Sequence, residues 1–276
     1  MSVRQFNADG TSDLSFGTAG VVTIDTEATI GSSSPNAVEA FETFGGKTLY
    51  VTANAIPNWA VFRLNSDGTL DQTFGSNGFV TIPINVAQYW TPTGADLAPD
   101  GSLLVAGFNY ADDEFFVQSI SADGQIGAIN VFPSVGLAMR YGIDVAAQAD
   151  GRYVTAETAG SQLAFRRFHA DGSVDVSFGN AGVTVVPRTF PFSFDSYPRL
   201  LLRDGGQAVA IADDYVLNKN GFSVFQVTAD GQMDTGFSAD GIADFQHPTS
   251  VGSDDFHVYD MELMPSGDLV IAGDAY

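Results

Sequence analysis

The chain has 276 residues, and its 45% apolar and 12% aromatic content is enough to form a packed core and argues against disorder. Its 33 acidic and 11 basic residues give a formal charge of −22, which disfavours nucleic acids and anionic membranes as partners. There is no cysteine, which excludes disulfides and thiolate metal sites, and no apolar run approaches the ~18 residues of a membrane span.

The first recognisable element is an Asp-Gly turn followed by Asp, Phe and two further Gly at fixed offsets. It has the sequence "NADGTSDLSFGTAGVVTI" at residues 7–24 and recurs closely at 65–82 and 169–186. Aligning on its Asp-Gly pair gives five copies at intervals of 48 to 59 residues, and such a period is typical of repeat architectures. The five anchors are Asp9, Asp67, Asp123, Asp171 and Asp230.

A second Gly-containing turn lies between successive anchors, as in "PDGSLLVAG" at 99–107, and it divides each unit into four short strands. The third unit contains them in order as "GADLAP", "SLLVAGF", "EFFVQSISA" and "INVFP". Short β-rich runs separated by Gly, Asp and Pro turns, without a helical period, predict an all-β fold.

Four-stranded units at this period predict propeller blades. The N-terminal "SVRQFNADG" corresponds to a third strand, and the C-terminal "DLVIAGDAY" corresponds to a second strand. We therefore expect residues 1–276 to form one five-bladed β-propeller with four antiparallel strands per blade. The N- and C-terminal strands would share one blade, which closes the ring and removes two exposed sheet edges.

These motifs resemble the delta-sixty repeat family, a bacterial propeller-like repeat typified by "LNADGSLDxSFGxxGxV" and "PDGKIVVAG". Residues 65–82 and 99–107 match the pattern closely, and the resemblance extends over essentially the whole chain. The third unit departs from it, with Gly127 in place of the Asp and Asn130 in place of the Phe. The resemblance implies a repeat architecture, often in a surface or exported setting, and it supplies no catalytic residues.

The spacing N-x-D-G-x-x-D also resembles a calcium loop, but calcium needs six or more oxygen ligands and the motif offers two Asp and one variable residue. We therefore predict a structural turn without a cofactor, with calcium as the less favoured alternative. The second Asp would accept backbone hydrogen bonds in the following loop, and the Phe would bury that loop.

The Asp-Gly turns share one face of a propeller, and the loops on the opposite face vary in length and chemistry, which is typical of binding surfaces. These loops are rich in aromatic residues, which suit sugar or protein recognition, although rings that plug loops into the core are an equal alternative. The ligand-binding candidates are Trp59, Tyr89, Trp90, Tyr110, Phe192, Tyr197 and His257.

Charged residues recur at equivalent positions of the predicted innermost strands. Carboxylates there would line a central channel, where crowding can shift their pKa values as glycoside hydrolysis requires, or where they hold a cation or water cluster. A solvated wall or an ion pair to Arg199 is the simpler explanation. The channel candidates are Glu39, Asp96, Asp144, Arg199, Asp260 and Glu262.

Together these patterns predict a non-enzymatic binding propeller that recognises a glycan or a protein surface through its variable loops. The alternative is a structural component of a larger assembly, such as a surface adhesin or a virion appendage, and a glycoside hydrolase ranks third. The expected location is extracellular, on a cell surface or on a virion, without membrane insertion. No signal peptide is visible in "MSVRQFNADG".

Overall fold

The regular elements of the computed structural model are antiparallel β-strands. The structure describes residues 1–26, 36–42, 49–55, 58–83, 90–109, 112–135, 141–159, 162–187, 197–216, 219–246 and 256–275. These ranges contain twenty strands, which confirms the expected all-β fold. No helix in these ranges is both long enough and apolar enough to span a membrane.

Sixteen of the strands form four sheets, each with four strands in chain order. Sheet I contains β3 (Asn36–Glu42), β4 (Leu49–Ala55), β5 (Asn58–Leu64) and β6 (Phe79–Pro83). Sheet II contains β7 (Trp90–Leu97), β8 (Leu103–Asn109), β9 (Glu114–Ile120) and β10 (Ile126–Pro133). Sheet III contains β11 (Tyr141–Ala147), β12 (Tyr153–Ala159), β13 (Gln162–Phe168) and β14 (Val183–Val185). Sheet IV contains β15 (Arg199–Leu202), β16 (Ala208–Val216), β17 (Lys219–Val227) and β18 (Ile242–Gln246).

The remaining four strands form two separate hairpins. The N-terminal hairpin pairs β1 (Ser2–Arg4) with β2 (Val21–Thr23), and the C-terminal hairpin pairs β19 (Phe256–Leu263) with β20 (Leu269–Ala275). Within the described residues β1 and β20 do not pair with each other, so the expected closure of the ring is not formed. Each hairpin packs instead against the sheet that is next to it along the chain.

The apolar core lies between successive sheets rather than inside any one of them. Trp59 and Phe74 of sheet I pack with Leu103 and Phe116 of sheet II. Equivalent clusters join sheet II to sheet III and sheet III to sheet IV. Sheets that stack face to face in chain order are the packing of propeller blades.

The repeated motif forms the predicted turn in the structure. Gly68 has a φ of +83°, a conformation that glycine adopts without a steric penalty. The second Asp accepts the backbone hydrogen bond predicted for it, from Thr73 to Asp71 at 2.9 Å and from Ser177 to Asp175 at 3.0 Å. These contacts confirm the structural role of the motif.

The motif also joins each unit to the next, which sequence reasoning did not predict. The amide of Gly17 donates to the carbonyl of Asp67 at 2.7 Å, and the same link recurs from Gly75 to Asp123 and from Gly179 to Asp230. A Cβ added to Gly231 would lie 2.6 Å from the amide nitrogen of Gly179, so the turn glycine permits this close approach.

The irregular third unit makes its link with a side chain. The Nδ2 group of Asn130, which replaces the motif Phe, donates to the carbonyl of Gly172 at 2.8 Å. It lies in the long strand β10, whose pairing with β9 has a register irregularity between Ile126 and Ile129. The shortened unit therefore keeps its connection to the next unit by a different hydrogen bond.

Candidate functional site

The first strands of the four sheets and of the C-terminal hairpin are neighbours in the order β3, β7, β11, β15 and β19. Four of them, from β7 to β19, enclose a cavity of about 370 Å³. This volume is within the range of ~300–1,000 Å³ that is usual for small-molecule sites. Five charged residues are among the side chains that line it: Asp96, Asp144, Arg199, Asp260 and Glu262.

These five are among the six residues that the sequence predicted for a central channel. The sixth, Glu39, lies in strand β3, and its side chain is outside the described part of the structure. The prediction located them by counting back from the turn glycines: Asp144, Arg199 and Asp260 lie seven residues before such a glycine, and Asp96 and Glu262 lie five residues before one. Residues two apart on a strand point to the same face, so both positions can line one cavity.

Irregularities in strand pairing affect the orientation of Asp96 on β7 and of Asp260 on β19. The pairing of β7 with β8 shifts between Pro92 and Gly94, and that of β19 with β20 shifts between Val258 and Asp260. A bulge redirects the side chains that follow it and is common beside active sites. A Cβ on Gly94 would overlap the Asp144 carboxyl group, so the glycine leaves space for that group.

Asp144 is the most deeply buried charged residue of the pocket, with 4% of its surface exposed. Its Oδ1 accepts a hydrogen bond from the amide of Val145 at 2.9 Å, and its Oδ2 accepts one from Leu200 at 2.8 Å. Burial raises the pKa of Asp144 to about 7, against the opposing charge of Arg199. A large fraction of this carboxyl group is therefore protonated at neutral pH.

Asp96 has a similar arrangement one strand earlier. Its two oxygens accept hydrogen bonds from the amides of Leu97 and Ala147, each at 2.7 Å, and burial raises the pKa of this carboxyl group. Asp96 and Asp144 thus attach each inner strand to the next one, from β7 to β11 and from β11 to β15. The pair combines a structural role with a perturbed titration.

Asp260 and Glu262 are exposed carboxylates on β19. Asp260 accepts a hydrogen bond from the amide of Met261 at 2.8 Å. The pocket therefore brings together one buried and one partly buried carboxyl group of raised pKa, Asp144 and Asp96, and two carboxylates that water can reach. Neighbouring acids in contrasting environments are the arrangement that acid–base catalysis requires.

Arg199 spans the pocket. Its Nε donates to the carbonyl of Tyr259 at 2.8 Å, and its Nη1 reaches the carbonyl of Thr93 at 3.5 Å. One guanidinium group thus connects β15 with both β19 and β7, so these three strands surround a common centre. Its charge lowers the pKa of Asp144 and partly offsets the effect of burial.

Of the predicted ligand-binding aromatic residues, the structure buries Trp59 and exposes Tyr197. Trp59 is only 1% exposed, and its ring centre lies 6.4 Å from that of Phe116 in the core between sheets I and II. Its assignment to an exposed binding face is therefore wrong. Tyr197 is 37% exposed and stacks on Phe108 at 6.4 Å.

The other predicted aromatics fall wholly or partly outside the described residues. Trp90 and His257 lie in β7 and β19, and the structure describes their backbone but not their side chains. The positions of three more are outside the described ranges: Tyr89, Tyr110 and Phe192.

A second buried acid was missed by sequence reasoning. Glu157 is fully buried in β12, and burial raises its pKa to about 7 although Arg166 donates to its Oε1 at 2.7 Å. Within the part of the chain that the structure describes, its Oε2 has no hydrogen-bond partner. The alternation of β12 places Glu157 on the face towards sheet II, and no feature of the sequence "TAETAG" distinguishes it from a solvated strand residue.

The first Asp of the repeated motif accepts hydrogen bonds within its own turn. Asp67 Oδ1 accepts hydrogen bonds from the amide and the hydroxyl of Thr69, at 2.9 and 2.6 Å, and these bonds lower the pKa of Asp67. Across the described ranges, no group of three or more His, Asp or Glu has an arrangement suited to a metal ion.

Comparison with known proteins gives a match of two segments to one family and a set of similar structures. Residues 44–74 and 148–178 match a family described as "Domain of unknown function (DUF5122) beta-propeller". No curated protein matches the chain. Both matched segments contain the Asp-Gly motif and the strand before it, so the match covers the repeated part of two units.

Several solved structures are similar to the chain. A DUF4623 family protein from Bacteroides eggerthii is 13% identical, with a TM-score of 0.49, over 98% of this chain and 64% of that one. An exo-beta-1,3-galactanase from Clostridium thermocellum is 12% identical, with a TM-score of 0.42, over 89% and 52%. One from Phanerochaete chrysosporium is 10% identical, with a TM-score of 0.45, over 100% and 64%. The chain thus spans about half to two thirds of the length of these proteins.

The comparisons contradict the expectation of a non-enzymatic binding propeller, since the similar structures include exo-beta-1,3-galactanases, although a likeness at this level assigns no activity to the chain. The burial of Trp59 also removes one of the aromatic residues predicted to bind a ligand through the variable loops. The family match, the repeated four-stranded sheets and the cores between them agree on the architecture. The chain is an all-β repeat protein of the β-propeller type.

Proposed function

We propose that the chain is a glycoside hydrolase whose active site is the central pocket. The observation that carries this proposal is Asp144, a carboxyl group with a pKa raised to about 7 that lines the same cavity as the exposed carboxylates Asp260 and Glu262. Glycoside hydrolysis needs one carboxylic acid and one carboxylate on either side of the scissile bond.

In the proposed reaction Asp144 donates its proton to the glycosidic oxygen as the bond between that oxygen and the anomeric carbon breaks. Asp260 accepts a proton from the water molecule that attacks the anomeric carbon, and the proton balance is restored through solvent. Asp260 is assigned this role because it occupies the position equivalent to Asp144 on its own inner strand. The mechanism uses side-chain carboxyl groups alone and assigns no part to a cofactor.

The charge of the pocket limits the substrate. Four carboxyl groups and one guanidinium group line the cavity, so an anionic sugar such as a uronate would meet a negative potential. A neutral glycan avoids this repulsion. We therefore propose a neutral glycan as the partner, and an extracellular or surface location where such polymers occur.

The proposal includes a finer description of the fold. The chain would form a closed ring of five blades, as the count of five repeated units predicts. Support comes from Arg199, whose contacts with β7 and β19 bring non-adjacent inner strands to one centre. In such a ring the N-terminal and C-terminal hairpins together would form the fifth blade, between sheets IV and I.

The test is release of reducing ends from a panel of neutral polysaccharides, with beta-1,3-galactan among them. The wild-type chain is compared with Asp144→Asn and with Asp113→Asn, an exposed turn residue whose φ of +56° asparagine tolerates well. We expect wild-type and Asp113→Asn to be equally active, and Asp144→Asn to be at least about 100-fold slower. Absence of hydrolysis by the folded wild-type chain across the panel contradicts the proposal.

A further inference from the structure

The central cavity occupies only one part of the space between the inner strands. Its lining residues begin at Asp144, Arg199 and Asp260, seven residues before the turn glycines of their strands, and continue from there towards the turns. On β7 they begin one residue after the equivalent position, Gly94. The cavity therefore extends from this level towards the turns that join first and second strands, and we call that end the turn face.

The side chains of Asp144 and Arg199 close the cavity at its other end. The Asp144 carboxyl group lies against β7 at Gly94, where a Cβ would overlap it, and it is also hydrogen-bonded to β15. Arg199 continues the barrier from β15 to the carbonyl of Tyr259 in β19, at 2.8 Å, and across the centre to the carbonyl of Thr93 in β7, at 3.5 Å. We call these two side chains the floor of the cavity.

The floor lies towards the end at which the inner strands begin, next to the variable loops. Tyr259 and Thr93, the two residues that Arg199 contacts, each come one residue before the level of Asp144, on the side away from the turns. The guanidinium group is therefore inclined away from the cavity, and the space between the floor and the turns stays open.

Burial along two inner strands indicates where water enters. On β11, residues 142–146 are buried, and exposure begins at Ala147, the last residue of the strand. On β7, residues 92–95 are buried and Asp96 is half-buried. Both strands thus become accessible in the direction of the turn face.

We propose that the cavity is a blind pocket that opens on the turn face, and that its ligand, which rests on the proposed function, is the end of a glycan chain. A polymer that crossed the cavity would need a second opening on the side that the floor closes. The sugar unit that reaches Asp144 is therefore at the end of its chain, and the rest of the chain leaves through the turn face. Arg199 determines this specificity, because a steric barrier rejects the longer ligand.

The entrance then lies among the repeated turns rather than among the variable loops, and side chains connect successive turns around it. Gln148 reaches the next turn, with its Nε2 4.0 Å from a Cβ placed on Gly206, and Arg203 donates to the carbonyl of Gly267 at 2.7 Å. Gln148 and Arg203 both lie three residues before a turn glycine. These contacts hold the rim of the pocket in place from sheet III to the C-terminal hairpin.

Two single-cysteine variants test the floor and the entrance without any substrate, because the chain has no cysteine of its own. Ala146→Cys places a thiol in the cavity wall on the turn side of the floor, and Thr93→Cys places one on the opposite side. The native residues are similarly buried, at 5% and 9% exposure, so general accessibility favours neither. The probe is methyl methanethiosulfonate, a small uncharged reagent, and mass spectrometry measures its rate of reaction.

We expect Ala146→Cys to react at least about tenfold faster than Thr93→Cys in the folded protein, and the two to react alike in urea. Adding Arg199→Ala should accelerate Thr93→Cys and leave Ala146→Cys unchanged, because loss of the floor joins the two sides. Equal rates in the folded protein, or a faster Thr93→Cys, overturn the proposal. This first comparison decides where the pocket opens even if Arg199→Ala does not fold.

A second measurement tests the preference for chain ends. On a glycan that the chain hydrolyses, we expect short end products while the remaining polymer shortens slowly, as followed by size-exclusion chromatography. A rapid fall in mean chain length with long fragments overturns the proposal. If no glycan is hydrolysed, the proposed function fails, whereas the thiol rates still decide the positions of the floor and the entrance.

Discussion

The Oδ2 atom of Asp144 accepts a hydrogen bond of 2.8 Å from the amide of Leu200, which attaches the third inner strand of the fold to the fourth. The same carboxyl group has its pKa raised to about 7 by burial. The residue that joins two sheets is thus also the residue best suited to donate a proton in the central pocket. Structure and proposed chemistry depend on one side chain.

The space around Asp144 predicts the effect of filling it. In Gly94→Ala the new methyl group overlaps the Asp144 carboxyl, which must move. We expect kcat to fall at least about tenfold, because displacement of a catalytic group by about 1 Å has effects of this size or larger. The control is Gly236→Ala, an exposed glycine whose nearest contact for a Cβ is 3.1 Å away. Equal activity of the two variants would contradict the role of Gly94.

The buried Glu157 predicts a specific dependence of stability on pH. Because burial raises its folded-state pKa to about 7, above its unfolded value, the folded state binds more protons between about pH 4.5 and 7. The contribution of Glu157 to stability is therefore greatest at low pH and is lost as the pH rises through this window. We expect Glu157→Gln to reduce the fall in Tm between pH 5 and 7.5 relative to the wild type. An unchanged slope in thermal melts would contradict this account.

The link between sheets III and IV predicts a large loss of stability when its arginine is removed. Arg167 donates to Asp175 at 2.8 Å and to Ser177 at 3.2 Å, contacts the carbonyl of Ala229, and lies 4.8 Å from the ring centre of Phe178. Both members of this ion pair are 5% exposed, and Arg167→Ala leaves the buried Asp175 carboxylate paired only with the more exposed Arg152 among the described residues. We expect a loss of about 3 kcal/mol in the free energy of unfolding, measured with urea.

The matched control for Arg167 is Arg152→Ala. Arg152 pairs with the same Asp175 at 3.0 Å, but a third of its side chain is exposed. We expect it to cost less than about 1 kcal/mol. Similar losses for the two arginines would show that burial of the pair does not decide its contribution.

The irregular third unit predicts a smaller effect at its substitute link. Asn130→Ala removes the hydrogen bond to the carbonyl of Gly172, which we expect to cost about 1 kcal/mol in urea unfolding. The control is Asn180→Ala, an exposed turn residue whose backbone amide donates to Val183 and is retained. A neutral Asn130→Ala variant would indicate that the other contacts between sheets II and III, such as the hydrogen bond from Ala147 to Asp96, hold the third and fourth units together without this link.

Sequence alone predicted the repeat, the strand type and the level of the pocket residues, because all three depend on local spacing. Counting five or seven residues back from the turn glycine brought Asp96, Asp144 and Asp260 to one cavity without knowledge of any contact. The all-β fold follows from the same regularity, since each unit has the same two turns and four short strands.

The sequence could not predict properties that arise between sheets. Trp59 looked like a loop aromatic because it follows "AIPN", yet its ring points into the space between sheets I and II. The burial of Glu157 and the link from Asn130 to Gly172 both depend on the neighbouring unit. Turn motifs specify a blade, whereas packing between blades decides which side chains are exposed.

The dependence of kcat on pH tests the central claim most directly, because it reports whether Asp144 acts as the proton donor. On the most rapidly hydrolysed glycan of the panel, we predict a kcat that declines above pH about 7, as Asp144 loses its proton. We also predict that Asp144→Asn removes this limb together with nearly all activity. An activity that stays constant from pH 6 to 9, or that survives in folded Asp144→Asn, would contradict the account.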